Sequence, residues 1–133
     1  MAVVSIENVP VTSEPDVVAV RRRVREIAAQ LGFTLVDQTK VVTAASELAR
    51  NTLIHGGGGH LEITTLNGPR VGLRLAFKDQ GKGIADVQLA LRDGFTTGSG
   101  LGLGLGGAKR LVNEFDIDSQ VGKGTKVTVI RWK

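Results

Sequence analysis

Hydrophobic and polar positions change period several times along this chain. Residues Val3 to Val9 read as a short first strand. Thr12-Ser13-Glu14-Pro15 then offers a hydroxyl cap and a proline in the first turn, the marks of a helix start. Apolar residues follow at Val17, Val20, Val24, Ile27 and Leu31, spaced by three and four, until Gly32 ends the helix. Asp37 is the expected cap of a second helix. The stripe it turns to the core is Val41, Ala44, Ala45, Leu48 and Thr52. Thr43, Glu47 and Asn51 recur every fourth residue and share a different, polar face. Gly56 to Gly59 stop this helix.

The period then becomes two. His60 to Leu66 reads as a strand with Leu61 and Ile63 on one face, and Asn67-Gly68-Pro69 as a turn. Val71, Leu73, Leu75 and Phe77 alternate with Gly72, Arg74, Ala76 and Lys78, so a strand delivers Asp79 to its end. A short helix is expected over Asp86 to Leu91. A glycine run leads into another through Ala108, Leu111 and Val112. Phe115 and Ile117 mark a strand, Val121-Gly122-Lys123-Gly124 a hairpin turn, and Thr125 to Trp132 the last strand. The order β-α-α-β-β-α-α-β-β predicts an α+β fold. It is a two-layer α/β sandwich, one mixed sheet with helices on one face. No repeat or linker interrupts it, so residues 1–133 are expected to form a single domain.

Composition narrows the classes. With 133 residues, 41% hydrophobic and 23% charged, the chain is globular rather than disordered. No cysteine is present, which excludes disulfides and thiolate metal sites. Two histidines, His55 and His60, are too few for a metal cluster. No window approaches the ~20 apolar residues that span a bilayer, so no membrane partner is expected. The first residues lack the basic start and long apolar stretch of a secretion signal, which makes the cytoplasm the default location. A net charge of +4 suits nucleic acid, an acidic partner or a polyphosphate ligand, and equally a slightly basic soluble protein. Arg21, Arg22, Arg23 and Arg25 lie largely off the first helix's apolar stripe, with no aromatic residue beside them to stack on bases. They form a solvated face or a docking surface for an acidic partner.

Candidate chemistry gathers between Lys78 and Lys109. Glycine loses the most freedom on folding, and amides exposed at a helix start favour phosphate. The stretch therefore reads as two walls of a nucleotide pocket with the loop between them, roughly Arg92 to Ser99, as a lid. Gly102, Gly104 and Gly107 spell G-x-G-x-x-G, but without the preceding strand and the later acidic residue of a dinucleotide site. No G-x-x-x-x-G-K-[ST] occurs, so a Walker A loop is excluded, and the kinase-fold motifs are absent. Asp79-Gln80-Gly81-Lys82-Gly83 alone is a common surface turn. At the exit of a very apolar strand, however, the Asp79 carboxylate can accept from an adenine amino group, with Gly81 and Gly83 letting the base lie against backbone. Glu47 and Asn51 alone are ordinary helix-surface residues. Together on one face, an amide oxygen suits Mg²⁺ and a carboxylate one turn away suits an attacking hydroxyl. His55, a further turn along, is a helix-end residue near the site.

In this order the motifs resemble the ATP-binding fold shared by gyrase, heat-shock chaperone, mismatch-repair and histidine-kinase ATPases (the GHKL fold). Glu47-Leu48-Ala49-Arg50-Asn51 resembles its N box and Asp79-Gln80-Gly81-Lys82-Gly83 its D-x-G-x-G box. Gly100-Leu101-Gly102-Leu103-Gly104 resembles the second glycine box and Gly122-Lys123-Gly124-Thr125 the last. Each is modest alone; four in order are specific. End to end, the chain resembles the small switch kinases of the bacterial stressosome, the RsbT type, most closely at 43–51, 93–97 and 107–112. It departs at Lys82, where many relatives carry proline.

The resemblance implies a serine/threonine protein kinase using ATP and Mg²⁺. Its substrates would be STAS-domain proteins of the RsbS and RsbR type. Once released, it would bind and activate a PP2C-type phosphatase of the RsbU type. Asp79 would recognise adenine, with Gly81, Gly83 and Thr125 completing the base site. Asn51 would hold Mg²⁺, amides from Gly100 through Leu101, Gly102 and Leu103 to Gly104 would cradle the phosphates, and Glu47 would take the proton from the partner's serine. An anti-sigma factor of the same fold is the alternative, and a basic nucleic-acid-binding domain the third reading.

Overall fold

The computed structural model describes residues 2–91 and 104–133. Strand β1 (Ala2–Val11) leads into α1 (Glu14–Gln30) and α2 (Leu35–Ile54). Strands β2 (Gly59–Asn67) and β3 (Gly72–Asp79) follow, then two short helices, α3 (Val87–Ala90) and α4 (Leu105–Arg110). The hairpin of β4 (Glu114–Gln120) and β5 (Gly124–Trp132) closes the order. Among the described residues no helix is long and apolar enough to cross a membrane.

Both long helices start on hydroxyl caps. The Ser13 side chain accepts from the Asp16 amide, and the Asp16 carboxylate accepts the Thr12 amide and hydroxyl, each at 2.8 Å. Thr34, not Asp37, caps α2, its hydroxyl accepting from the Asp37 amide at 3.2 Å. Leu35 and Val36 fill the first turn on the solvent side, 72% and 64% exposed, so the apolar stripe sets in later than the helix does. Asp37 instead accepts from Arg131 of β5 at 2.6 Å, fastening the start of α2 to the last strand. That guanidinium holds the Asp37 carboxyl below its usual range.

The sheet order is β1-β2-β3-β5-β4. The two-layer α+β architecture is as expected, with the helices on one face. In one respect it differs: all four pairings are antiparallel, where a mixed sheet was expected. Two helices lie between β1 and β2, so the chain returns in the opposite direction. The helical connection after β3 does make β4 run parallel to it, but β5 slots between the two and pairs antiparallel with both. Leu61, Ile63, Leu73, Leu75, Phe77, Val127 and Val129 form the covered face of the sheet. Val17, Val20, Val24 and Ile27 of α1 pack there with the expected stripe of α2. Burying such side chains is worth ~1.5–3 kcal/mol each and is what holds the helices down.

Candidate functional site

A cavity of about 290 Å³ opens at the end of β3, between α2, the turn after β3, α3, the start of α4 and β5. Leu48, Phe77, Ile84, Ala90, Leu105 and Val127 give it a mainly apolar lining. Its polar groups include Asn51 and His55 from α2, Asp79 from the end of β3, and Thr125 from β5. Such a cleft, apolar with a few convergent polar groups, fits a planar base with one polar edge.

The Asp79 carboxylate is fixed by the chain itself. Its Oδ1 accepts the Gly81 amide at 2.9 Å and the Thr125 amide at 3.2 Å. Its other oxygen faces Gly56, where an added β-carbon would collide with the carboxyl group. One oxygen therefore holds the turn, and the other lies beside Gly56, which with Asp79 lines the cavity. The Thr125 hydroxyl lies 2.8 Å from that of Ser119, which accepts the Ile84 amide at 2.8 Å.

The glycines of the turn serve the protein's own backbone. A β-carbon on Gly81 would fall 2.7–2.9 Å from the backbone of Gly56. One on Gly83, whose φ is 77°, would strike the Gln120 carbonyl. The Gly122 amide also donates to the Lys82 carbonyl at 2.8 Å. The turn after β3 is thus clamped between the end of α2 and the β4–β5 hairpin. Gly83 lines the cavity; Gly81 does not.

Of the expected site residues, Asn51, Asp79, Gly83 and Thr125 share this cavity. Glu47 is exposed one turn above Asn51 on α2, outside the lining. Its carboxylate lies against Gly104, the left-handed cap of α4, where a β-carbon would run into it. Gly100, Leu101, Gly102 and Leu103, and the expected lid from Arg92 to Ser99, lie outside the described residues. Gly56 and Ser119 are additional. Ser119 was not legible, since a turn at 121–124 would set it opposite Lys126; the loop is one residue shorter, with Gln120 opposite Gly124, and this makes Ser119 the cross-strand partner of Thr125. Nor was Gly56, because its contact with Gly81 joins segments far apart in the chain.

His55, at the end of α2, is half-buried on the cavity wall. Burial, then the Lys82 charge, holds its pKa below the ordinary value. Among the described residues no group of three or more His, Cys, Asp or Glu side chains could hold a metal.

A model of the "Histidine kinase-, DNA gyrase B-, and HSP90-like ATPase" family matches residues 36–133. The chain is 43% identical to the serine/threonine-protein kinase RsbT of Bacillus subtilis, over 93% of this chain and 94% of that one. It is 32% identical to an anti-sigma F factor of a Thermoanaerobacter species, over 84% of this chain and 82% of the relative. In fold it is similar to the RsbU and RsbW domains of a Mycobacterium tuberculosis protein, with a TM-score of 0.66 at 21% identity. That match covers 97% of this chain and 33% of the longer one.

Proposed function

Because the chain belongs to the histidine kinase-, DNA gyrase B- and HSP90-like ATPase family, we propose that its cavity binds ATP and that it phosphorylates a serine or threonine of a partner protein. The observation that carries this reading is the convergence of Asn51, Asp79 and Thr125 from three elements on one apolar cavity. It is supported by the likeness to a serine/threonine kinase over nearly the whole of both chains.

The residues fit the nucleotide. The apolar walls suit the base, and the Asp79 carboxylate suits its amino group. Gly81 and Gly83 hold that carboxylate's turn in shape, and Thr125 fixes it from β5. Asn51 offers a side-chain oxygen beside the cavity, which suits Mg²⁺ held largely by phosphate and water. Gly104 and the residues before it, 100–103, are assigned to the phosphate end. When bound, ATP supplies the transferable phosphoryl group and Mg²⁺ offsets its charge.

Glu47 stands at the open end, exposed and one turn from Asn51, where a second protein's hydroxyl can approach. It takes the hydroxyl proton as that oxygen bonds to phosphorus and the terminal bridging P–O bond breaks. The substrates are STAS-domain proteins of the RsbS and RsbR type, and the later partner is a PP2C-type phosphatase of the RsbU type. Incubating the chain with labelled ATP and a STAS-domain partner tests this. Label on the partner's serine or threonine is the expected result. ATP binding without transfer, together with capture of a sigma factor, would favour the anti-sigma reading suggested by the second relative.

A further inference from the structure

The face of the sheet turned away from the helices carries a second concavity. A shallow groove of about 660 Å³ crosses the strand ends behind the nucleotide cavity, sharing Asp79 and Thr125 as a common wall. A row of side chains lines it across four strands. His60 pairs with Lys78, Lys78 with Lys126, and Lys126 with Asp118, each as register partners. Lys123, on the hairpin turn, adds a further cation at the groove's edge.

This arrangement is unfavourable in isolation. Strands lie ~4.8 Å apart, and like charges directly opposite one another destabilise a sheet. Lys78 is eased by Glu62 at 3.8 Å. The ammonium groups of Lys123 and Lys126 form no ion pair or hydrogen bond with any described residue, and the Asp118 carboxylate does not reach that of Lys126. Two lysines without partners therefore stand in a concave site beside a third. An anion placed between them relieves the repulsion.

We propose that this groove docks an acidic protein segment, whose carboxylates settle between Lys78, Lys123 and Lys126. Two features favour that occupant over a nucleic acid. Among the described residues no Phe, Tyr or Trp lines the groove, and the single imidazole of His60 is no platform for successive bases. Asp118 and Glu62 stand within and beside it and repel a continuous phosphate backbone, whereas a peptide can place neutral residues against them.

Titration of the whole chain, without nucleotide, with a synthetic peptide that alternates glutamate with alanine tests the proposal independently of the kinase reading. Binding should perturb the amide resonances of His60, Lys78 and Lys126 and weaken as salt is raised. The pair Lys123→Glu/Lys126→Glu should weaken it at least ~10-fold, with the melting curve showing a folded chain. The pair Arg21→Glu/Arg22→Glu on α1 should leave it unchanged. Peptide binding lost in the α1 pair but kept in the groove pair would overturn the proposal. So would a single-stranded oligonucleotide that binds the groove more tightly than the peptide, or no peptide binding at low salt.

Discussion

Asp79 and Thr125 face one another across β3 and β5, and the Thr125 amide donates to Asp79 Oδ1 at 3.2 Å. The Gly81 amide shares the same oxygen at 2.9 Å. The side chain assigned to recognise the base is thus also a brace between two strands and a turn. Its carboxyl group is oriented before any ligand arrives, which lowers the ordering cost of binding.

Asp79→Asn should therefore weaken ATP binding at least ~10-fold, the loss of a hydrogen bond to a charged acceptor, about 1.5–3 kcal/mol. Isothermal titration calorimetry measures it directly. Equal affinity in the variant would remove Asp79 from the base site.

Glu47 lies outside the cavity lining, so its loss should separate binding from chemistry. Glu47→Ala should lower transfer to the partner by ~10²–10⁴-fold while leaving ATP affinity unchanged. Single-turnover transfer beside calorimetry distinguishes the two. Transfer at the original rate would end its assignment as the base.

Gly81 meets the backbone of Gly56 so closely that even a methyl group must displace one of them. Gly81→Ala should cost about 1–3 kcal/mol of stability, as overpacking does, and lower the melting temperature by several degrees. Gly107→Ala is the control, because a β-carbon there meets nothing within 4 Å. Equal melting of the two variants would show that the contact is not tight.

His55 gives the stability a pH dependence. Its folded pKa lies below the ordinary 6.5, so the unfolded chain binds the proton more readily. The stability tied to its neutral form is present in full above that value. It is lost as the pH falls from there through the folded pKa. Thermal melts of wild type and His55→Gln across this window should diverge, with the variant the flatter. Parallel curves would exclude the ring as the source.

Much of this was legible in the residues. The alternation from Val71 to Phe77 located β3 and put Asp79 at its exit, and four-residue spacing put Glu47 and Asn51 on one face of α2. What escaped depended on non-local or ambiguous cues. Leu35 and Val36 are apolar yet exposed, so the amphipathic pattern begins after the helix does and points to Asp37 for the cap that Thr34 provides. The insertion of β5 between β3 and β4 depends on packing across the whole sheet, which no local period encodes. Gly81 was legible as a tight position, but not that the backbone it meets is that of Gly56, because glycine in a sequence says only that something comes near.

Helix α2 and its C-terminal cap hold Glu47, Asn51 and His55 on successive turns, with Ala44, Ala45 and Leu48 sealed beneath them. These groups are borne on one rod and cannot drift separately. A few degrees of roll about its axis would swing the outer carboxylate, the amide and the imidazole together. A bulkier residue at Ala45 would therefore detune all three at once without touching any of them.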